Sequence, residues 1–241
     1  MGDAGRFPAD DLPISPIRKV SLPSLADQVF DALRDRILTL ELPPGTRLSE
    51  AGVASRMGVS RQPVREAFGR LAKLGFLQIR PQSGTTVSLI SQSAVLQARF
   101  IRAALEVQTC RTACEAIDQT GIRDLRLLLD QQKAAVEAND RKAFHALDDQ
   151  FHRDICIRSG VGYVWDLIHD NKAHMDRVRM LSLNSPTQRQ ALNEHTVLLD
   201  AIEARDPEAA TAAITTHLSR ILVQIERLKA EQHDWFTDTA G

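Results

Sequence analysis

The stretch Gly58-Val59-Ser60-Arg61-Gln62-Pro63-Val64-Arg65-Glu66-Ala67-Phe68-Gly69-Arg70-Leu71 decides how this chain folds. It reads as a tight turn, a cap and a helix with two faces. Ser60 is a good N-cap type, because its hydroxyl can accept a backbone N–H at the helix start. Pro63 falls in the first turn, where its missing N–H costs little. Val64, Phe68 and Leu71 recur at i, i+4 and i+7 and should face a core. Arg61, Gln62, Arg65 and Arg70 lie off that stripe, with Arg61 and Arg65 one turn apart. A buried stripe backed by arginines at the helix N-terminus suits a helix that enters a DNA major groove tip first. Taken alone, the pattern equally describes a solvated amphipathic helix with surface charge.

Upstream, a first helix is expected from about Ser24 to Thr39, with Leu25, Val29, Ala32, Leu33, Arg36 and Ile37 on one side. Pro43-Pro44-Gly45 ends it in a turn. Ser49 then caps a short second helix, with Val53, Ala54 and Met57 inward, and Gly58 closes that helix in a left-handed cap. Downstream, Gly75 closes the third helix. Phe76–Ile79 and Thr85–Leu89 are extended runs around Pro81-Gln82-Ser83-Gly84, which reads as a β-hairpin. Three helices followed by a hairpin describe a winged helix-turn-helix, its tip able to reach the DNA backbone or minor groove. A plain structural cap is the alternative role for that hairpin.

At 241 residues, with 43% apolar and 25% charged side chains, the composition is that of an ordinary globular protein. No apolar run approaches a membrane span and the first twenty residues lack an apolar signal core, so a cytoplasmic location is expected. Cys110, Cys114 and Cys156 form no paired motif and are expected as reduced, buried helix residues. The overall charge of −1 hides a division. Residues 42–90 carry seven basic and two acidic side chains, a local +5, whereas residues 91–241 carry 18 basic and 22 acidic ones. A basic module on a mildly acidic one suggests a polyanion partner for the first and a different task for the second.

The expected architecture is therefore mainly α. Residues 1–20 form a mobile tail, 21–90 the winged helix-turn-helix and 91–235 an antiparallel all-helical bundle. Its spans read as 92–118, 122–138, 140–159, 162–182, 187–204 and 207–233, with breaks at Gly121, Asn139-Asp140, Gly160-Val161-Gly162, Asn184-Ser185-Pro186 and Asp206-Pro207. Within the bundle, no nucleotide-binding or hydrolase motif appears. Asp148 and His152 stand four residues apart on one helical face. His195 and His217 sit on later helices near inward positions. One aspartate and three histidines suit a divalent metal: zinc first, nickel or manganese as alternatives. A hydrogen-bonded core histidine is the commoner fate of such residues, and this chain has seven histidines.

Residues 24–87 resemble the DNA-binding domain of the GntR family of bacterial transcription regulators. The likeness is carried by Pro44-Gly45-Thr46-Arg47-Leu48-Ser49-Glu50, by Gly58 through Ala67, and by Leu71, Gly75 and Gly84-Thr85-Thr86-Val87. The helical remainder resembles the FCD ligand-binding domain of the FadR subfamily, and its six helices suggest the VanR-like branch. The resemblance implies that Arg61 and Arg65 reach base edges. It places Ser60, Gln62 and Arg70 near phosphates or bases, and Gly84 at the wing tip. Glu66 is a regular family position, read here as structural. Ala51 and Gly52 stand where some relatives carry an arginine, which removes one possible base contact. In the bundle, Asp148-x-x-x-His152, Glu194-His195 and His217-Leu218 match the metal-binding FCD pattern, which does not use His145. His169, His174 and His233 are left as structural or exposed. Arg102 matches an arginine that can form a fork to a ligand carboxylate, although an ion pair with Glu106 is equally open. Gly160-Val161-Gly162 departs from the relatives' Gly-Asn-Pro.

The function so implied is that of a homodimeric, metabolite-responsive repressor on a pseudo-palindromic double-stranded operator. Its bundle would hold a divalent metal and a small carboxylate effector. A metal-dependent enzyme acting on a small carboxylate, with the basic module as a tether, is the rival.

Overall fold

The computed structural model describes residues 23–80, 84–231 and 233–238. The expected tail at 1–20, the hairpin tip Pro81-Gln82-Ser83 and the His233 side chain lie outside the described residues. The N-terminal part opens with α1 (Leu25–Leu38), β1 (Arg47–Leu48), α2 (Glu50–Met57) and α3 (Arg61–Lys73). Ser24 and Asp27 form a reciprocal capping box at α1, so two backbone donors at its start are satisfied. The inward face of α1 is Ala26, Val29, Leu33 and Ile37, while Leu25 and Arg36 point to solvent. Leu25 lies one residue, about 100° of helix, off that stripe. Ser49 accepts from the Gly52 N–H at the start of α2, and Gly58 ends α2 at φ 67, ψ 31. That left-handed conformation suits glycine, which has no Cβ to crowd the next carbonyl.

In α3, Val64, Ala67, Phe68 and Leu71 are buried against Leu33, Ile37 and Phe76, as the opening stripe requires. The wing is formed by β2 (Leu77–Arg80) and β3 (Gly84–Val87), antiparallel with Leu77 opposite Val87 and Arg80 opposite Gly84. The short β1 joins the far side of β3, pairing Arg47 with Thr86 and making the sheet three-stranded. Two residues are too few to show alternation, so this strand is invisible before the chain folds back on itself.

Among the described residues six helices follow: α4 (Gln92–Ala116), α5 (Gln119–Glu137), α6 (Arg141–Arg158), α7 (Tyr163–Ser182), α8 (Ser185–Glu203) and α9 (Pro207–Glu231). They track the expected spans, except that Ser185 and Pro186, expected in a break, open α8 after the Asn184 cap, and a second break is misplaced. Gly121 is inside α5, which starts earlier because Asp118 accepts the Gly121 N–H at 2.7 Å. The region after residue 90 is also not wholly helical. β4 (Ile90–Ser91) pairs in parallel with β5 (Phe236–Thr237), a contact between segments too distant in sequence for local patterning to reveal. The bundle packs α4 against α7 and α9, and α5 against α6 and α8. Its central core gathers Cys110, Leu125, Phe151, Leu199, Ile202 and Ile214. All three cysteines are free and buried, and burial raises the Cys110 and Cys114 thiols and pushes Cys156 up to about 12. Among the described residues no helix is long and apolar enough to cross a membrane.

Helix α7 joins the two parts. Ala173 belongs to the core of the winged part. The His174 ring stacks on Phe76 with centroids 4.6 Å apart, and its Nε2 lies 3.0 Å from the Leu74 carbonyl. Arg177 is buried and donates to the carbonyl of Ser88 at 2.7 Å, in the segment between the two parts.

Candidate metal centre and nucleic-acid interface

Three helices of the bundle converge on one point in its interior. Helix α6 supplies Asp148 and His152, α8 supplies His195, and α9 supplies His217. One potential ligand atom from each residue lies within 4.8 Å of every other. Asp148 and His195 are fully buried and His152 nearly so. Ring centroids of the three histidines are separated by 5.2, 5.2 and 4.7 Å.

Each ring is held from behind. His152 Nδ1 is 2.7 Å from Glu106 Oε2, His195 Nδ1 is 2.8 Å from Gln132 Oε1, and His217 Nδ1 is 3.0 Å from Glu194 Oε2. A carboxylate only accepts, so the Glu106 and Glu194 contacts make Nδ1 the donor, and in the neutral ring the lone pair is then on Nε2. Gln132 does the same for His195, because its amide nitrogen is committed to the Leu147 carbonyl at 3.0 Å. His152 Nε2, His195 Nε2 and Asp148 Oδ1 are buried without a hydrogen-bond partner among the described residues, while Asp148 Oδ2 is taken by Arg179. A guanidinium from Arg179 lies against Asp148 as an ion pair. Burial works to raise the Asp148 carboxyl, but Arg179 and then the histidines outweigh it and hold it well below the usual range. Burial, reinforced by neighbouring histidines, keeps His195 far below its ordinary value and pushes His217 down to about 3, so both are neutral. Neutral imidazoles with fixed tautomers and one carboxylate are the state in which such a set ligates a divalent cation. The donor set fits that group.

A cavity of about 50 Å³ adjoins the cluster, with Arg102, Arg179, Thr187, His217 and Arg220 on its wall. Arg102 is buried and its Nε pairs with the equally buried Glu106, so the ion-pair reading of this residue is realised. Its Nη2 has no partner among the described residues and leaves the fork to a ligand open as well. Sequence patterning missed Arg179 and Gln132. Both act through neighbours on other helices. Spacing shows the apolar stripes of α5 and α7 but not the polar task of these two side chains. A second group, His145, Asp149 and Asp176, also lies close together. Lys172 already stands 2.8 Å from Asp149 and 2.6 Å from Asp176, supplying the positive charge that these carboxylates need.

At the other end of the chain, Arg61, Gln62 and Arg65 project from the exposed face of the α3 N-terminus. One expectation changes here. Ser60 occupies the N-cap position in extended conformation, yet its hydroxyl makes no cap hydrogen bond. Arg70 is turned from the tip of α3 toward α1, pairing with Asp27 at 2.7 Å and covering the Phe30 ring at 4.1 Å. Its place near the far end of the helix, well behind Arg61, puts it beside α1 instead. Gly84 has φ +92, and among the described residues nothing lies within 4 Å of the place a Cβ would take. Glu66 is exposed, which gives its structural reading no support. Glu50, the last residue of the Pro44–Glu50 run but given no role by the sequence, lies between the two leading arginines.

A winged helix-turn-helix carried on a helical ligand-domain bundle defines a DNA-binding transcription regulator. Residues 25–87 match the family model "Bacterial regulatory proteins, gntR family", and residues 97–220 match the FCD domain. The chain belongs to the GntR family and carries an FCD domain. It is 38% identical over 213 residues to the HTH-type transcriptional repressor RspR of Escherichia coli K12, covering 88% of this chain and 93% of that one. It is 27% identical over 188 residues to the regulator McbR of the same strain, covering 77% and 85% of the two chains. The structure of E. coli McbR/YncC superposes with a TM-score of 0.72 at 24% identity, covering 86% of this chain and 100% of that one, and so shares the fold. The chain is thus a transcription regulator with repressor-type relatives, not an enzyme, and the rival reading of the sequence falls.

Proposed function

We propose that this regulator is a homodimeric, metabolite-responsive repressor of the FadR type, with the VanR-like branch as its nearest pattern. Residues 21–90 bind a pseudo-palindromic operator in the cytoplasm. Residues 91–235 hold a divalent metal, zinc before nickel or manganese, and a small carboxylate effector, and also join the two copies. The observation that carries the metal is the set of buried, unpartnered atoms His152 Nε2, His195 Nε2 and Asp148 Oδ1, with His217 oriented alongside. Bound there, the metal would supply open coordination positions to an effector carboxylate. Arg102 and Arg179 on the cavity wall provide guanidinium groups to hold the same anion.

Helix α7 supports a route from this site to the DNA. Arg179 lies against Asp148, while Arg177 and His174, within two turns of it, grip the Ser88 carbonyl and Phe76. A ligand that draws Arg179 from Asp148 acts on the helix that seats the winged part. A coupling free energy of ~1–3 kcal/mol would change operator affinity about 5–150-fold.

The test is elemental analysis of the purified chain and of Asp148→Ala, followed by a thermal-shift screen of small carboxylates, sugar acids and keto acids with and without chelator. About one metal per chain, lost in the variant, and a carboxylate shift that needs the metal are expected. No metal and no metal-dependent shift would leave the histidines as packed core residues.

A further inference from the structure

We propose that Glu50 is a positioning residue for DNA reading, which locks the Arg65 guanidinium so that its outer edge faces a base and denies that place to a phosphate. The proposal rests on the reading of Arg61 and Arg65 as base readers. Glu50 is the first residue of α2, just after the Ser49 cap, where a helix N-terminus favours a carboxylate. Its Oε1 accepts from Arg65 Nε at 3.1 Å and its Oε2 from Arg65 Nη2 at 3.1 Å. The same Oε2 accepts from Arg61 Nη2 at 3.3 Å. The carboxylate side chain is 25% exposed, beneath arginines that are 62% and 64% exposed.

The geometry of the fork decides what remains available. A guanidinium has five N–H donors in one plane. Glu50 uses the side edge of Arg65, formed by Nε and Nη2. The end edge, with one N–H from each of Nη1 and Nη2, takes no part in this contact. Two parallel donors on that edge match guanine O6 and N7, the commonest specific arginine contact. Fixing the plane leaves this edge aimed before DNA arrives, so less conformational freedom is lost on binding. The carboxylate also offsets the repulsion of two cations one helical turn apart. Its hydrogen bond with Arg65 first, and the nearby charge, hold Glu50 below the ordinary carboxylate range, so it stays ionised. A phosphate approaching the same arginines meets that negative charge. Glu50 thereby weakens binding to any duplex while sharpening the choice among duplexes.

The test compares wild type, Glu50→Gln, Glu50→Asp, Arg65→Ala and Glu50→Gln/Arg65→Ala. The probes are a duplex enriched by the wild-type chain from a random-sequence pool and a scrambled duplex of the same composition, across a salt series. Glu50→Gln should bind the scrambled duplex more tightly and lose about tenfold or more of its preference. Its salt dependence on the scrambled duplex should steepen by about 0.9 for each additional phosphate neutralised. Glu50→Asp, which keeps the charge, should retain most of the preference. In the Arg65→Ala background the Gln substitution should remove no further preference, because Glu50 acts through Arg65. An unchanged preference in Glu50→Gln beside a large loss in Arg65→Ala would overturn the role of Glu50 alone. No loss in Arg65→Ala would overturn the base-reader reading beneath it. A loss in Glu50→Gln that persists undiminished in the double variant would mean a structural effect and also refute the proposal.

Discussion

Replacing Gln132 by leucine tests whether the three histidines are arranged for a metal. Gln132 is fully buried and reaches none of the candidate ligand atoms itself; it acts only on the back of His195. Its Oε1 fixes the His195 proton on Nδ1, and its Nε2 is tied to the Leu147 carbonyl of α6. Leucine fills similar volume but accepts nothing. His195 then has two choices. It can keep the Nδ1 proton, leaving a buried donor unpaired at a cost of about 1–3 kcal/mol. It can instead move the proton to Nε2, which stands 3.5 Å from Asp148 Oδ1. The second choice relieves the metal-free protein but occupies the lone pair that a metal requires. Either way the loss falls on metal binding, and partners of this kind typically matter by about 10–100-fold in affinity. Competition of the purified variant against a zinc chelator should therefore show affinity reduced by that range. Gln132→Glu keeps an acceptor on Nδ1 and should bind at least as tightly as wild type, whatever it does to stability. Equal zinc affinity in the wild type and in Gln132→Leu, within about threefold, would refute the reasoning that tautomer control is the purpose of this contact.

Arg65→Ala should cut the preference for a selected duplex over a scrambled one by about tenfold or more at physiological salt, from a wild-type ratio of about 10³ or more, while circular dichroism shows the fold intact. Gly58→Ala meets nothing within 4 Å, so its cost is that of φ +67 alone. That is about 1 kcal/mol, which calorimetry should read as a melting point lower by about 2–4 °C. His174→Ala removes a ring stack and a hydrogen bond at the seat of the winged part and should cost about 1–2 kcal/mol, with faster amide exchange around Leu74 to Phe76. Burial first, and Arg177 nearby, hold His174 below its ordinary value of 6.5 although the Leu74 contact works the other way. A depressed histidine favours the folded state fully above the ordinary value and loses that contribution as the pH falls from there toward the folded one. His174→Ala should accordingly flatten part of the acid limb of the stability profile below about pH 6.5.

Much of this architecture is written in local pattern. The stripe Val64, Phe68 and Leu71, the caps at Ser24 and Ser49 and the turn at Gly58 each depend on residues within a turn or two of each other, so spacing and residue type suffice to place three helices. The same holds for the six bundle helices and for Asp148 with His152, which share a face by being four residues apart. Where the sequence misled, the deciding partner was remote or the local geometry went unused. Ser60 looks like a cap by type, but its hydroxyl makes no cap bond, and the Asp27 and Phe30 contacts of Arg70 come from α1, which spacing within α3 does not show. The strands β1 and β5 exist only because β3 and β4 are there to pair with them.

The amino-acid order by itself determined a basic winged module, a helical bundle and a short list of histidines, because helix and turn preferences are local physics. Tertiary structure decided what those residues face. It brought His195 and His217 to the Asp148–His152 turn and set Glu106, Gln132 and Glu194 behind the three rings. It also laid Arg179 against Asp148 and slid Glu50 under Arg61 and Arg65. Charge, tautomer and orientation at both ends of the molecule follow from these contacts between separate helices, and no sequence spacing encodes a distance between elements that only packing brings together.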